Sequence, residues 1–237
     1  MKNIIKTRSC SQTKKSQSQP FPSEYDMVAS FSSLLSLQKS KLLVSHEFNC
    51  GFGIADIVIY KKNDKEDAIS LGKISPDWAF TLKSLPLKTS LSSEVVSELS
   101  GASLNATKKA IKEFILAGFC EKTGKNSFVK IKDPKLLCNS IIAVEAKLKD
   151  WRRALWQASR YKIFSSQSWV ILDKHTARSA ISNIKEFEKY NIGLATLATN
   201  GVYEEIFTPT PDIHKSELAF WKANSLLAKQ ILNSNPI

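Results

Sequence analysis

The 237-residue chain lacks what a metal-cluster or disulfide scaffold needs. Its four cysteines, Cys10, Cys50, Cys120 and Cys138, are scattered, with no CxxC pair and no histidine at ligand spacing. That spacing argues against a structural zinc, an iron–sulfur cluster and a disulfide framework, and points to a reducing, cytoplasmic setting. His46, His175 and His214 are isolated from one another in the sequence, none at metal-ligand spacing, and are assigned no role. There is no run of eighteen apolar residues, so no membrane-spanning helix is expected. Met1 to Ser11 is basic and polar, without the apolar core of a secretory signal. No internal repeat, phosphate-cradling glycine loop or Ser/His/Asp order is visible. Acids are scarce too: 22 Asp and Glu against 34 Lys and Arg leave a net charge of +12. Such an excess suits a polyanionic partner, nucleic acid above all, although a basic surface alone specifies no site.

What is present, at 43% apolar residues, is enough for a substantial core. Residues 1–20 read as a flexible basic arm with five Lys and Arg and no acid, as suited to phosphate attraction as to simple solvation. Ser23 is placed to cap a helix reaching about Lys39, with Glu24 and Asp26 in its first turn and Met27, Phe31, Leu34 and Leu35 on one face. Leu42–Phe48 and Ile54–Tyr60 read as a hairpin around Cys50-Gly51-Phe52-Gly53. From about Ser75 the texture changes to helix (Leu91–Leu99), turn, helix from Ser103 to Gly118, and a short hairpin around Thr123–Asn126. That is the order of a winged helix, and its second helix bears Lys108, Lys109 and Lys112, suited either to a DNA groove or to plain solvation. Beyond Asp133-Pro134 come a strand at Ile141–Leu148, a helix Trp151–Phe164 capped by Asp150, and a strand Trp169–Leu172. A helix Ala177–Tyr190, a hairpin around Asn200-Gly201 and a terminal helix Ser216–Leu232 complete the chain.

The strand at 141–148 organises the rest. Its first half is apolar on both faces, as in a central, doubly covered strand. Glu145 and Lys147 then emerge two positions apart, on one face. Charges at the end of a buried strand need a partner or a ligand. Asp56 is a second acid set inside an apolar strand, and Glu47 on the preceding strand is a weaker third candidate. Two carboxylates on neighbouring strands offer hard oxygen ligands for Mg²⁺, which bridges readily to phosphate. A lysine beside them can orient a water and offset phosphate charge. On the next helix Gln157 and Tyr161 share one face, and Lys149, Arg152, Arg153 and Arg160 form a basic stripe with Trp156.

With the 75–136 segment removed, the order is helix, three strands, helix, strand, with Asp56 on the second strand and Glu145-Ala146-Lys147 on the third. This chain resembles the PD-(D/E)xK, restriction-endonuclease-like nuclease superfamily, and Gln157-Ala158-Ser159-Arg160-Tyr161 resembles the Gln-x-x-x-Tyr motif of RecB-like members. The resemblance implies an α/β fold with a mixed sheet flanked by helices, built from 21–74 and 137–237, with the winged-helix-like α+β segment 75–136 inserted. It implies a metal-dependent deoxyribonuclease in which Asp56 and Glu145 hold Mg²⁺ (Mn²⁺ substituting), Glu24 adds a further acid, and the Ala146 carbonyl completes the shell. Lys147 positions the attacking water, and Gln157, with Tyr161, supports the site. The expected partner is DNA, with a homodimer or the protein partners of a larger transposition, restriction or defence machine as further expectations, and no membrane. The contrasting expectation is a non-catalytic DNA-binding regulator or assembly subunit on the same scaffold.

Overall fold

The computed structural model describes residues 18–37, 41–64 and 66–234. In chain order these form α1 (Glu24–Ser36), β1 (Leu42–Asn49), β2 (Ile54–Lys61), 3-10 turns at Glu66–Lys73 and Pro76–Trp78, α2 (Ala79–Ser84), β3 (Ser90–Ser92), α3 (Ser93–Ser100), α4 (Leu104–Leu116), β4 (Cys120–Lys122) and β5 (Ser127–Lys130). There follow β6 (Ile141–Lys147), α5 (Trp151–Tyr161), β7 (Gln167–Asp173), α6 (Arg178–Ser182), α7 (Ile184–Tyr190), β8 (Gly193–Leu197), β9 (Tyr203–Phe207) and α8 (Glu217–Ser234). The expected arm lies outside the described residues up to residue 17, as do residues 38–40, where α1 was expected to end. No helix among the described residues is long and apolar enough to cross a membrane.

The expected caps have local causes. Ser23, Ser103 and Asp150 each accept a first-turn amide, from Asp26 (3.1 Å), Ala106 (3.3 Å) and Arg153 (3.1 Å). Each satisfies one of the amides a helix start leaves without a partner. Three expectations need correcting. Leu91 belongs to the short strand β3, and its helix starts at Ser93, where Ser92 caps it through the Val95 amide. The helix expected over Ala177–Tyr190 is two short helices broken at Asn183, whose backbone (φ −111°, ψ 30°) leaves the helical region. The β8–β9 connection is the five-residue 198–202 segment, in which Gly201 takes φ 79°, not a two-residue turn at Asn200-Gly201.

The chain divides into two compact units. The described residues of Met1–Lys61 and Ser140–Lys215 form the first; those of Lys62–Asn139 and Ser216–Ile237 form the second. This division departs from the one expected at 75 and 136. The 66–73 turns and α8 belong with the second unit, because α8 buries Phe220, Trp221 and Leu227 there and bonds it through two polar side chains. Asn224 Oδ1 accepts the Cys138 amide at 2.8 Å, and Ser225 Oγ donates to the Leu71 carbonyl at 3.0 Å. The second unit also has its own antiparallel sheet, in the order β3-β5-β4.

The first unit is a mixed sheet flanked by helices, with strand order β1-β2-β6-β7-β8-β9. β1, β2 and β6 pair antiparallel, β6, β7 and β8 parallel, and β9 returns antiparallel. One face packs Met27, Phe31 and Leu35 of α1 against Ile57, Ile59, Val144, Trp169, Ile171 and Ala195. On the other lie α5 and α7. β6 is buried along its length up to Ala146, as its two apolar faces require.

Trp169 covers Gly193 so closely that a Cβ there would stand 2.3 Å from the Trp169 ring. Gly193→Ala is therefore expected to destabilise the protein by about 3 kcal/mol, the upper range for overpacking a filled core. A lowered urea midpoint at unchanged slope is the measurement that checks it.

Candidate active site

The register between β2 and β6 sets Ile57 opposite Val144, which brings Asp56 and Glu145 across from each other one residue further on. There the backbone ladder gives way to a side chain: Asp56 Oδ2 accepts the Ala146 amide at 2.7 Å. Two acids are thus held at the end of adjacent strands, Glu145 only 1% exposed.

Tyr161 rises from the buried face of α5 to meet them. Its hydroxyl lies 2.6 Å from Glu145 Oε2 and 2.7 Å from the Ile54 carbonyl, with the donor role in both contacts. A phenol has one proton, so it cannot satisfy both acceptors at once while Glu145 is ionised. A neutral Glu145 removes the conflict by donating to the Tyr161 oxygen. Consistently, burial first, and repulsion from Asp56 second, push the Glu145 carboxyl above its ordinary 4.5. Asp56 is also raised, by burial first and then by repulsion from Glu24 and Glu47, against the opposing pull of the Ala146 amide and Lys147. Tyr161 itself is held far above the ordinary phenol range by burial and by Glu145.

Lys147 is the positive counterpart. Its Nζ stands 2.9 Å from Glu24 Oε2 and 3.2 Å from Glu145 Oε1, and donates to the Ala146 carbonyl at 3.3 Å. Burial alone would lower its pKa, but Glu24, Glu145 and Asp56 together outweigh it and raise it. Lys147 is therefore a fixed ammonium, fit to orient and to offset charge, and not a ready proton acceptor. Glu24, in the first turn of α1, combines both roles its position allowed: it faces a helix N-terminus and enters the site, where Oε1 also accepts the Leu148 amide at 3.5 Å.

Gln157 lies one turn before Tyr161 on α5, and its Oε1 is buried with no hydrogen-bond partner. A buried acceptor left unpaired calls for a donor or a cation. The facing carboxyls of Asp56 and Glu145 are hard oxygen donors, the kind that fits a divalent cation. Among the described residues, no group of three or more His, Cys, Asp or Glu side chains is arranged to hold a metal. A cation at Asp56 and Glu145 would thus draw much of its shell from the Ala146 carbonyl, water and phosphate, as Mg²⁺ commonly does.

Glu47 sits across β1–β2 from Asp56, between the pairs His46–Ile57 and Phe48–Ala55, and interrupts the ladder. Its φ of 47° is left-handed, a conformation costing roughly 1 kcal/mol or more for a non-glycine residue. Lys149, Arg152, Arg153 and Arg160 are all exposed, at or along α5. Trp156 among them is 58% exposed and carries the Arg160 guanidinium 4.9 Å from its ring centre. Lys108, Lys109 and Lys112 are exposed on α4, in the second unit.

The sequence reading missed the amide clamp of Ala146 on Asp56 and the reach of Tyr161 to Glu145. Only the four-residue spacing of Gln157 and Tyr161 hinted at the second. No family model, curated protein or solved structure matches the chain.

Proposed function

We propose that this protein is a metal-dependent deoxyribonuclease of the PD-(D/E)xK type. The observation that carries the reading is the convergence of Asp56, Glu145 and Lys147 from neighbouring strands, with Glu24 and Tyr161 bonded into the same cluster. The strand order of the first unit, with α1 on one face and α5 on the other, supports a restriction-endonuclease-like fold. In the second unit, the sequence α2-β3-α3-α4-β4-β5 with sheet order β3-β5-β4 supports a winged helix, with Lys108, Lys109 and Lys112 exposed on α4 for a phosphate backbone.

In this reading Asp56, Glu145 and the Ala146 carbonyl would hold Mg²⁺, and Mn²⁺ would substitute. When bound, the ion supplies Lewis-acid charge at the phosphate and an acidified water. Tyr161 fixes the Glu145 carboxyl against rotation, as partners behind a metal ligand commonly do. Lys147 would orient an attacking water for in-line attack and offset the charge growing on the phosphoryl oxygens. Gln157, with its unpaired oxygen, would support the site. Lys149, Arg152, Arg153 and Arg160 position the backbone on either side of the scissile bond.

The test is incubation of the full chain with supercoiled plasmid and Mg²⁺ or Mn²⁺, beside EDTA and Lys147→Ala. Metal-dependent nicking that falls at least roughly 10²-fold in the variant is expected, the size of a lost transition-state contact. A mobility shift without cleavage by either protein would favour a DNA-binding subunit. Cleavage only on addition of a partner protein would place the chain within a larger machine.

A further inference from the structure

α5 borders a second feature, away from the acid pair. A cleft of about 530 Å³ opens between this helix and α6–α7, lined by Trp151, Arg152, Leu155, Trp156, Asn183 and Tyr190. Its volume is that of a small-ligand site, for which roughly 300–1,000 Å³ is usual. Trp151 and Leu155 are buried in its wall, whereas Trp156 (58%) and Tyr190 (44%) are exposed, each with a cation over its ring, Arg160 at 4.9 Å and Lys189 at 5.1 Å. The Arg152 guanidinium lies 4.5 Å from the Trp151 ring centre, so cation and π face share the cleft.

Aromatic planes beside guanidinium groups suit a ligand that is flat, π-bearing and joined to anionic charge. Bases stack on the rings while phosphates meet the cations. A double helix cannot offer a base face, because its bases are stacked on each other. An aromatic side chain of a protein could fill the same volume, and charge decides between the two. Lys149, Arg152, Arg153 and Arg160 lie exposed along this stretch, against the single acid Glu186 in the lining, in a chain of net charge +12. Glu186 and Asn183 give the wall an acceptor and an amide for a base edge.

We infer that the cleft between α5 and α6–α7 seats an unpaired base of a single-stranded nucleic acid. Trp156 directly precedes Gln157, and Tyr161 on the Gln157 face bonds Glu145. The cleft and the acid pair therefore flank one helix, about 10 Å across, and a short stretch of strand spans the two. The substrate class becomes DNA with an unpaired stretch beside the cut, a statement resting on the nuclease reading; the binding of the base does not.

The experiment is equilibrium binding by the full chain in EDTA, where no cleavage occurs, to a short fluorescein-labelled oligodeoxythymidine and to a duplex of equal length. Trp156→Ala should weaken single-strand binding roughly tenfold, and Trp156→Phe should retain most of it, since a phenyl ring still stacks. Duplex affinity should change little in both variants. Tyr190→Ala is a second, independent variant with the same expected loss. Equal urea midpoints for all four proteins exclude a folding effect. Single-strand affinity untouched in both alanine variants overturns the proposal and leaves the cleft to a protein partner; equal losses on single strand and duplex overturn it as well. A Trp156 effect in a protein that never nicks plasmid keeps the base site and removes the nuclease reading, whereas nicking without the effect does the reverse.

Discussion

Glu145→Gln is expected to reduce plasmid cleavage at least roughly 10³-fold, the scale of losing a preorganised charge contact, and at the same time to make the protein harder to unfold. The two effects share a cause. Glu145 is buried, faces Asp56, and competes with the Ile54 carbonyl for the one Tyr161 proton. A glutamine keeps the shape, carries no charge, and can donate its amide to the Tyr161 oxygen while Tyr161 donates to Ile54. Lys147 keeps Glu24 at 2.9 Å and can still donate to the glutamine oxygen, so no buried ammonium is stranded. A side chain with no charge to bury avoids that cost and should add about 1–2 kcal/mol at neutral pH. The sign with pH follows from linkage. Both acids have raised folded-state pKa values, so the folded chain binds more protons than the unfolded chain between the two values. The Glu145 contribution to stability is therefore fully present below its ordinary 4.5 and is lost as pH rises through its folded value. The variant lacks that share of the fall. Urea midpoints measured across pH should coincide at acid pH and separate above it, with the variant higher. A variant less stable than wild type at neutral pH would mean that the Lys147 contact outweighs the burial and repulsion.

The same competition explains why the site was partly legible. Glu145 and Lys147 stood out because a period of two in an apolar strand makes a charge conspicuous, and Asp56 stood out for the same reason. Gln157 and Tyr161 followed from helical spacing. Glu24 could be read equally as a dipole partner, and only the contact with Lys147 gives it a place in the site. The left-handed backbone of Glu47 could not be read, since nothing in its neighbours calls for it. The Trp156 cleft was legible only on one side. Its far wall comes from Asn183 and Tyr190, which are distant in sequence from α5 and join it through tertiary packing.

The mixed sheet was legible in outline because β6 and β7 carry continuous apolar runs and the hairpins carry glycine turns. The place of α8 was not. An amphipathic helix announces that it will bury a face and is silent about the partner. Asn224 and Ser225 are the residues that name it. They are polar, fully buried, and bonded to the Cys138 amide and the Leu71 carbonyl. In a sequence they look like solvent-facing interruptions.

Truncation after Lys215 should therefore unfold the second unit. The deletion removes Phe220, Trp221 and Leu227, all buried, and apolar side chains of this size contribute about 1.5–3 kcal/mol each when buried. It also leaves the Cys138 amide without its acceptor and strips the close-packed surface at Gly72, where even an added Cβ would come within 2.5 Å of the α8 backbone. The Lys222–Asp77 ion pair at 2.7 Å goes as well, but Asp77 is largely exposed and the pair adds little. Against the roughly 5–15 kcal/mol that holds a typical domain, these losses exhaust the margin. Hydrogen exchange read by mass spectrometry gives the check. Amides of α4 and β5 should lose protection on truncation, while those of β6, β7 and β8, whose unit ends at Lys215, should keep theirs. Protection retained in α4 and β5 would show that the helix is dispensable to the unit it packs in. Loss of protection in β6 and β7 as well would show that the sheet cannot hold its structure once the second unit has unfolded.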